Sequence, residues 1–140
     1  ICENVRYDYE HLGDESYKLQ YTAYAALMDG KSVCQGYSVL FYRMCLEAGV
    51  DTRIVKGLGD NGEVKEAHGW NIVRLGDRYY YVDTTWDAPH LPPYTPYTFY
   101  LMKGTDDFPD HELDEDYLTD EFMEEYPISD SNYEYSYLDE

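Results

Sequence analysis

Cysteine is scarce, and the three present rule out two common roles. Cys2, Cys34 and Cys45 are widely spread, with no CxxC pair. They make neither a disulfide framework nor a thiol pair for zinc or redox chemistry. Basic residues are scarce as well, and none lies beyond Lys103. With a formal net charge of −19, the chain lacks the clustered Lys and Arg that phosphate binding needs, which excludes nucleic acid as a partner. No run of 18 apolar residues occurs, so no membrane span is expected. A basic, apolar, small-residue leader is missing, and the chain begins at Ile1 rather than methionine. It is therefore read as a processed or excised part of a larger protein. No internal repeat is visible.

What remains is length enough for one ordinary core, since 140 residues bury roughly 68–70% of the unfolded surface. Charge divides the chain unevenly. Residues 1–103 carry 14 acidic and 10 basic side chains, whereas residues 104–140 carry 15 acidic ones and no Lys or Arg. The expected organisation is a core over 1–103 and an acidic extension over 104–140, packed on the core or trailing from it. Asp114-Glu115-Asp116 lacks the glycine and terminal glutamate of an EF-hand loop, so no calcium role is assigned. The 18 tyrosines suit half-buried positions and the lining of a substrate cleft.

Periodicity predicts a helix from about Glu15 to Met28, with an inward face of Tyr17, Tyr21, Tyr24, Ala25 and Met28, stopped at Gly30. Ser32 stands as N-cap of a second helix. Its stripe is Tyr37, Leu40, Phe41, Met44, Cys45 and Ala48, closed by Gly49. Residues 52–57, 68–75 and 78–83 read as strands, the last two joined by the two-residue turn Gly76-Asp77. Prolines at 89, 92, 93 and 96 make an irregular stretch before a last strand at Tyr97–Met102. Two helices followed by an antiparallel sheet place the fold in the α+β class.

Cys34 falls in the first turn of the second helix. Unpaired backbone N–H groups and the helix dipole favour thiolate there, and thiolate is the nucleophile. Gly36 fits close approach by substrate or neighbouring backbone. A buried structural thiol is the ordinary alternative, and Cys45 illustrates it. Three turns along and about 16 Å away, too far for a disulfide, Cys45 has core-like neighbours in Met44 and Leu46.

The hairpin supplies partners for Cys34. If Leu75 pairs with Arg78, the register puts Trp70 opposite Asp83 and His68 opposite Thr85, all four on one side of the sheet. His68 and Asp83 become diagonal neighbours with Cα atoms roughly 7–8 Å apart. An Asp–imidazole hydrogen bond would then fix the tautomer and support the imidazolium. Taken singly, His68 reads as a half-buried strand-end residue and Asp83 as a local cap for Thr84 or Thr85. With a helix-start cysteine they read better as a Cys–His–Asp unit. Zinc on the same three residues lacks paired-ligand spacing.

Val33-Cys34-Gln35-Gly36-Tyr37-Ser38, Leu46-Glu47-Ala48-Gly49-Val50, His68-Gly69-Trp70-Asn71 and Tyr81-Val82-Asp83-Thr84-Thr85-Trp86-Asp87 resemble the core motifs of the transglutaminase-like superfamily. The likeness covers about residues 17–103 and is specific in its joint order and spacing. It departs at Gly69, where many relatives have alanine. It implies a papain-like fold, with Cys34 as nucleophile, His68 as base and Asp83 as orienting group, and calls for no cofactor and no metal. Superfamily members include crosslinking enzymes, peptidases, peptide N-glycanases and silent binding modules. The implied activity is therefore cysteine-dependent acyl transfer on protein or peptide amides, with hydrolysis favoured because so short a chain resembles the bacterial, secreted or surface-attached members. Gln20, an amide side chain, and Gln35, beside the nucleophile, are candidates for oxyanion or cleft contacts, and a solvent-facing helix residue is the alternative for Gln20. Tyr37, Trp70 and Trp86 are candidates for the cleft or the core. The rival readings are a peptide-binding module that kept the fold, or an acidic surface module whose tail binds cations or a basic partner. Removing residues 104–140 is expected to affect binding and not thiol reactivity. The oligomeric state is left open.

Overall fold

The segment ahead of Cys34 folds as short turns, not as the single helix expected over Glu15–Met28. In the computed structural model, which describes residues 1–134, a 3-10 turn spans Lys18–Tyr21 and a π turn spans Ala25–Asp29. Thr22 parts them. Its backbone is extended, and its hydroxyl donates to the Leu19 carbonyl while accepting from the Ala25 N–H. A hydroxyl that competes for backbone groups in this way breaks helical continuity. Gly30 ends the segment at φ +67°, the left-handed stop that glycine permits.

Strand β1 (Arg6–Tyr7) pairs in parallel with β2 (Lys31–Ser32). Ser32 is thus a strand residue, and Val33 takes the N-cap position of helix α1 (Cys34–Glu47) with no side-chain cap. The Ser32 hydroxyl goes instead to the Gln20 carbonyl at 2.7 Å. The helix start presses on this segment. A Cβ on Gly36 would meet Ser32 Oγ, Ser32 Cβ and the Thr22 carbonyl at 2.8 Å or less. Glycine there serves backbone approach. Further along α1, Tyr37 and Leu40 are buried and Phe41 half-buried, whereas Met44 and Leu46 are exposed. The expected apolar stripe is therefore covered only in its first half, and Met44 and Leu46 are not core.

Three strands follow: β3 (Thr52–Asp60), β4 (Lys65–Leu75) and β5 (Arg78–Val82). The Gly76-Asp77 turn sets Leu75 against Arg78, and the register runs to Asn71 against Val82 as parity requires. There the ladder stops, earlier than expected. Asp83 leaves the strand because its Oδ1 accepts from the Trp86 N–H and caps helix α2 (Thr84–Asp87). Trp70 and His68 consequently do not pair with Asp83 and Thr85. The proline-broken stretch returns through Tyr97 N–H to the Asp87 carbonyl. It leads into β6 (Leu101–Lys103), shorter than the strand expected at 97–102.

The acidic segment then completes the fold. Strand β7 (His111–Leu113) pairs with β3, giving an antiparallel sheet in the order β6-β5-β4-β3-β7, and α3 (Asp120–Glu125) follows. Gly57 makes this docking possible, since a Cβ there would overlap the Glu112 carbonyl. Helix α1 packs on β4 and β3; Asn71 anchors it by donating to the Ser38 carbonyl at 3.1 Å. A separate cluster gathers Val55, Trp70, Ile72, Tyr79 and Tyr81 with Phe108 and Ile128 from the acidic segment, and Leu113, Tyr117, Phe122 and Tyr126 pack against it. Residues 104–134 are therefore structural, with their carboxylates largely outward. Their removal would uncover a core cluster, so thiol reactivity is not expected to survive it. The architecture is α+β, a helix-borne cysteine set against an antiparallel sheet. Among the described residues no helix is long and apolar enough to cross a membrane.

Candidate active site

Where α1 begins, the first residues of β4 and the turn into α2 enclose a cleft of about 330 Å³, lined by Cys34, His68 and Trp86 with Tyr7, Tyr9 and His90. Cys34 is half-buried at the first position of α1. The first backbone N–H groups of a helix have no intrahelical partner, so this thiol sits beside free donors and the positive end of the dipole.

His68 reaches the cleft from β4. Its Nε2 lies 2.6 Å from Asp83 Oδ2, and its ring stacks on Trp86 at 5.1 Å and on Trp70 at 5.8 Å. Gly59 leaves space for this stack, because a Cβ there would meet the Trp86 ring at 2.8 Å. With Nε2 engaged by Asp83, Nδ1 is the nitrogen left for Cys34. Burial opposes charge on His68, but hydrogen bonding to Asp83 and Cys34 and their negative charge outweigh it, raising its pKa from the usual 6.5 to about 9. The ring is thus protonated at neutral pH and loses its proton as pH rises through that value.

Asp83 is buried, and burial alone would push its pKa up. Hydrogen bonds from His111 and His68 prevail and hold it below the ordinary carboxylate value. His111 is a residue that the sequence reading missed. Its Nε2 lies 2.7 Å from the same Asp83 Oδ2 that binds His68, and its side chain is only 1% exposed. The local rules give no sign of it, since it lies 28 residues beyond Asp83 in the acidic segment.

The other candidates part company. Trp86 lines the cleft, while Trp70 is core. Tyr37 is fully buried and its hydroxyl donates to the Val5 carbonyl, so it points into the core. Gln20 is buried rather than solvent-facing, and its amide donates to the Asp14 carbonyl at 2.9 Å. Gln35 is exposed. Neither glutamine lines the cleft. Donor atoms of His68, Asp83 and His111 lie within 4.8 Å of one another, as do those of Asp8, Glu10 and His11. In the first group the contacts of 2.6 and 2.7 Å are hydrogen-bond lengths. They are shorter than the spacing of roughly 3.3 Å between two tetrahedral ligands at about 2.0 Å from zinc. As arranged, these atoms share protons.

A family profile described as the transglutaminase-like superfamily matches residues 1–84. Kyphoscoliosis peptidase of Mus musculus is 34% identical over 96 residues, and that of Homo sapiens 33% over 96 residues. Each alignment takes in 63% of this chain and 14% of the relative, so the chain spans about one-seventh of the curated relatives it matches. A solved structure titled "Crystal structure of a TGase" superposes with a TM-score of 0.52 at 21% identity, covering 60% of this chain and 23% of that one, which supports the fold. With the profile covering more than half of its length, the chain belongs to the transglutaminase-like superfamily.

Proposed function

We propose that the domain is a cysteine acyltransferase acting on protein or peptide amides, with Cys34 as nucleophile, His68 as acid and base, and Asp83 as orienting group. The observation that carries this reading is the His68 ring, bound through Nε2 to buried Asp83 and facing the same cleft as Cys34. Attack by the Cys34 thiolate on an amide carbonyl forms a C–S bond and an oxyanion, held by free N–H groups at the start of α1. The His68 imidazolium gives its proton to the leaving amine as the C–N bond breaks, leaving a thioester and neutral His68. Neutral His68 then takes a proton from water, which attacks the thioester; the C–S bond breaks and a carboxylic acid leaves.

Water is proposed as the favoured acceptor over a lysine amine. The name "peptidase" carried by the mouse and human relatives supports this, though each is much longer than this chain. Attachment to a secreted or cell-surface bacterial protein completes the proposal; it is supported by the resemblance and the acidic, lysine-poor composition.

Mass spectrometry of the chain incubated with peptides bearing glutamine and backbone amides, with and without a primary amine, tests it. The expected result is a hydrolysed product and a transient acyl adduct on Cys34. Amine incorporation exceeding hydrolysis would overturn the choice of water. Binding without any adduct would favour a silent peptide-binding module.

A further inference from the structure

Asp83 Oδ2 has two imidazole partners, and the second has no part in the scheme above. His111 is held in an aromatic box, with ring centroids of Phe108 at 4.0 Å, Trp86 at 4.5 Å and Trp70 at 4.8 Å. Its Nε2 faces Asp83 Oδ2 at 2.7 Å and its Nδ1 faces the Pro109 carbonyl at 3.0 Å. Both partners are oxygen acceptors without a proton to give. A neutral imidazole has one N–H, so one of these contacts would set a lone pair against a lone pair. A doubly protonated ring satisfies both.

We propose that His111 is a positioning residue that sits as a buried imidazolium, clamps the Asp83 carboxylate and shares its charge with His68. The inference rests on the proposed acyl-transfer reading for its consequence, though not for the protonation state. Asp83 Oδ1 is already committed to the Trp86 N–H at 3.1 Å, so the clamp on Oδ2 fixes the carboxylate at both oxygens. Dividing the Oδ2 charge between two rings also weakens its hold on the His68 proton. An acid that must surrender a proton to the leaving amine benefits from that moderation. The titratable groups around the pair are few. His68 lies 5.6 Å and Tyr100 5.3 Å from the His111 ring, Asp87 opposes further negative charge on Asp83, and Cys34 adjoins His68. Asp110 and Glu112 flank His111 in the chain.

Two measurements on the full chain decide the matter. Long-range ¹H–¹⁵N correlation of the histidine rings should show both His111 nitrogens protonated at neutral pH; a neutral tautomer would overturn the proposal. This readout needs no activity, so it stands even if Cys34 proves inert and the acyl-transfer reading fails. The second is the Cys34 alkylation rate against pH in His111→Gln, whose amide can still donate to Asp83, and in His111→Phe, which fills the box without a donor. In His111→Phe the rate at neutral pH should fall by roughly 10- to 100-fold, the worth of one charge-assisted hydrogen bond, and His111→Gln should recover part of it. In both, the upper pH limb that reports His68 deprotonation should move to higher pH, because the competing positive charge on Asp83 Oδ2 is gone. Slower labelling with an unmoved limb would mean a merely structural histidine and would overturn the clamp.

Discussion

Cys34→Ala should abolish turnover, by at least about 10⁴-fold, with the fold intact. Removing the proposed nucleophile would leave only the oxyanion donors and binding, which sustain a small residue of catalysis in comparable triads. Stability should hardly change, because Cys34 is half-buried and lines the cleft instead of any core cluster. Cys45 offers the contrast. It lies on the same helix but outside the cleft that Cys34 lines, so Cys45→Ser should leave turnover unchanged and cost about 1 kcal/mol of stability or less. Parallel kinetics and urea melts of the two variants make the check. Full turnover in Cys34→Ala would remove the thiol from the mechanism altogether.

A chain ending at Lys103 should fail to fold cooperatively. Truncation strips β7 from β3 and uncovers Val55, Trp70, Ile72, Tyr79 and Tyr81, now covered by Phe108, Ile128 and their neighbours. Each large apolar side chain so exposed forfeits about 1.5–3 kcal/mol, and five of them rival the whole stability of a domain at about 5–15 kcal/mol. The expected readout is loss of near-ultraviolet circular dichroism and of a sharp urea transition. A finer version is Phe108→Ala, which should cost about 3–5 kcal/mol by opening a cavity against Tyr81 and His111. A truncated chain that still melted sharply would show the acidic segment to be an appendage.

These expectations show where local rules suffice. The Gly76-Asp77 turn and strand parity, both properties of adjacent residues, bring His68 and Asp83 to one end of one sheet, and a helix start is readable at Cys34. The same rules fail where a side chain competes with the backbone. Thr22 breaks a helix that apolar spacing would continue, Ser32 bonds to Gln20 instead of capping α1, and Asp83 ends its own strand by capping α2. They fail again over long separations. The β7–β3 pairing depends on the missing side chain of Gly57 and on aromatic residues spaced through a carboxylate-rich stretch. The carboxylates of this stretch mask the apolar positions Phe108, Leu113, Tyr117 and Phe122, and with them the place of His111. Composition describes the outer surface of that segment; its packing lies in the residues between the charges.

The most direct test of the central claim, a Cys34–His68 pair primed for attack, is the alkylation rate of each cysteine against pH, resolved by peptide mapping. Burial pushes the Cys2 thiol up, and it donates to the Thr84 carbonyl at 3.3 Å, so Cys2 should label slowly. With His68 protonated below about 9, Cys34 should label fastest and stay fast well below the free-thiol value of about 8.5, changing again only as His68 loses its proton. If Cys34 labels no faster than Cys45 across that range, the thiol is not paired with an imidazolium, and the acyl-transfer account is contradicted.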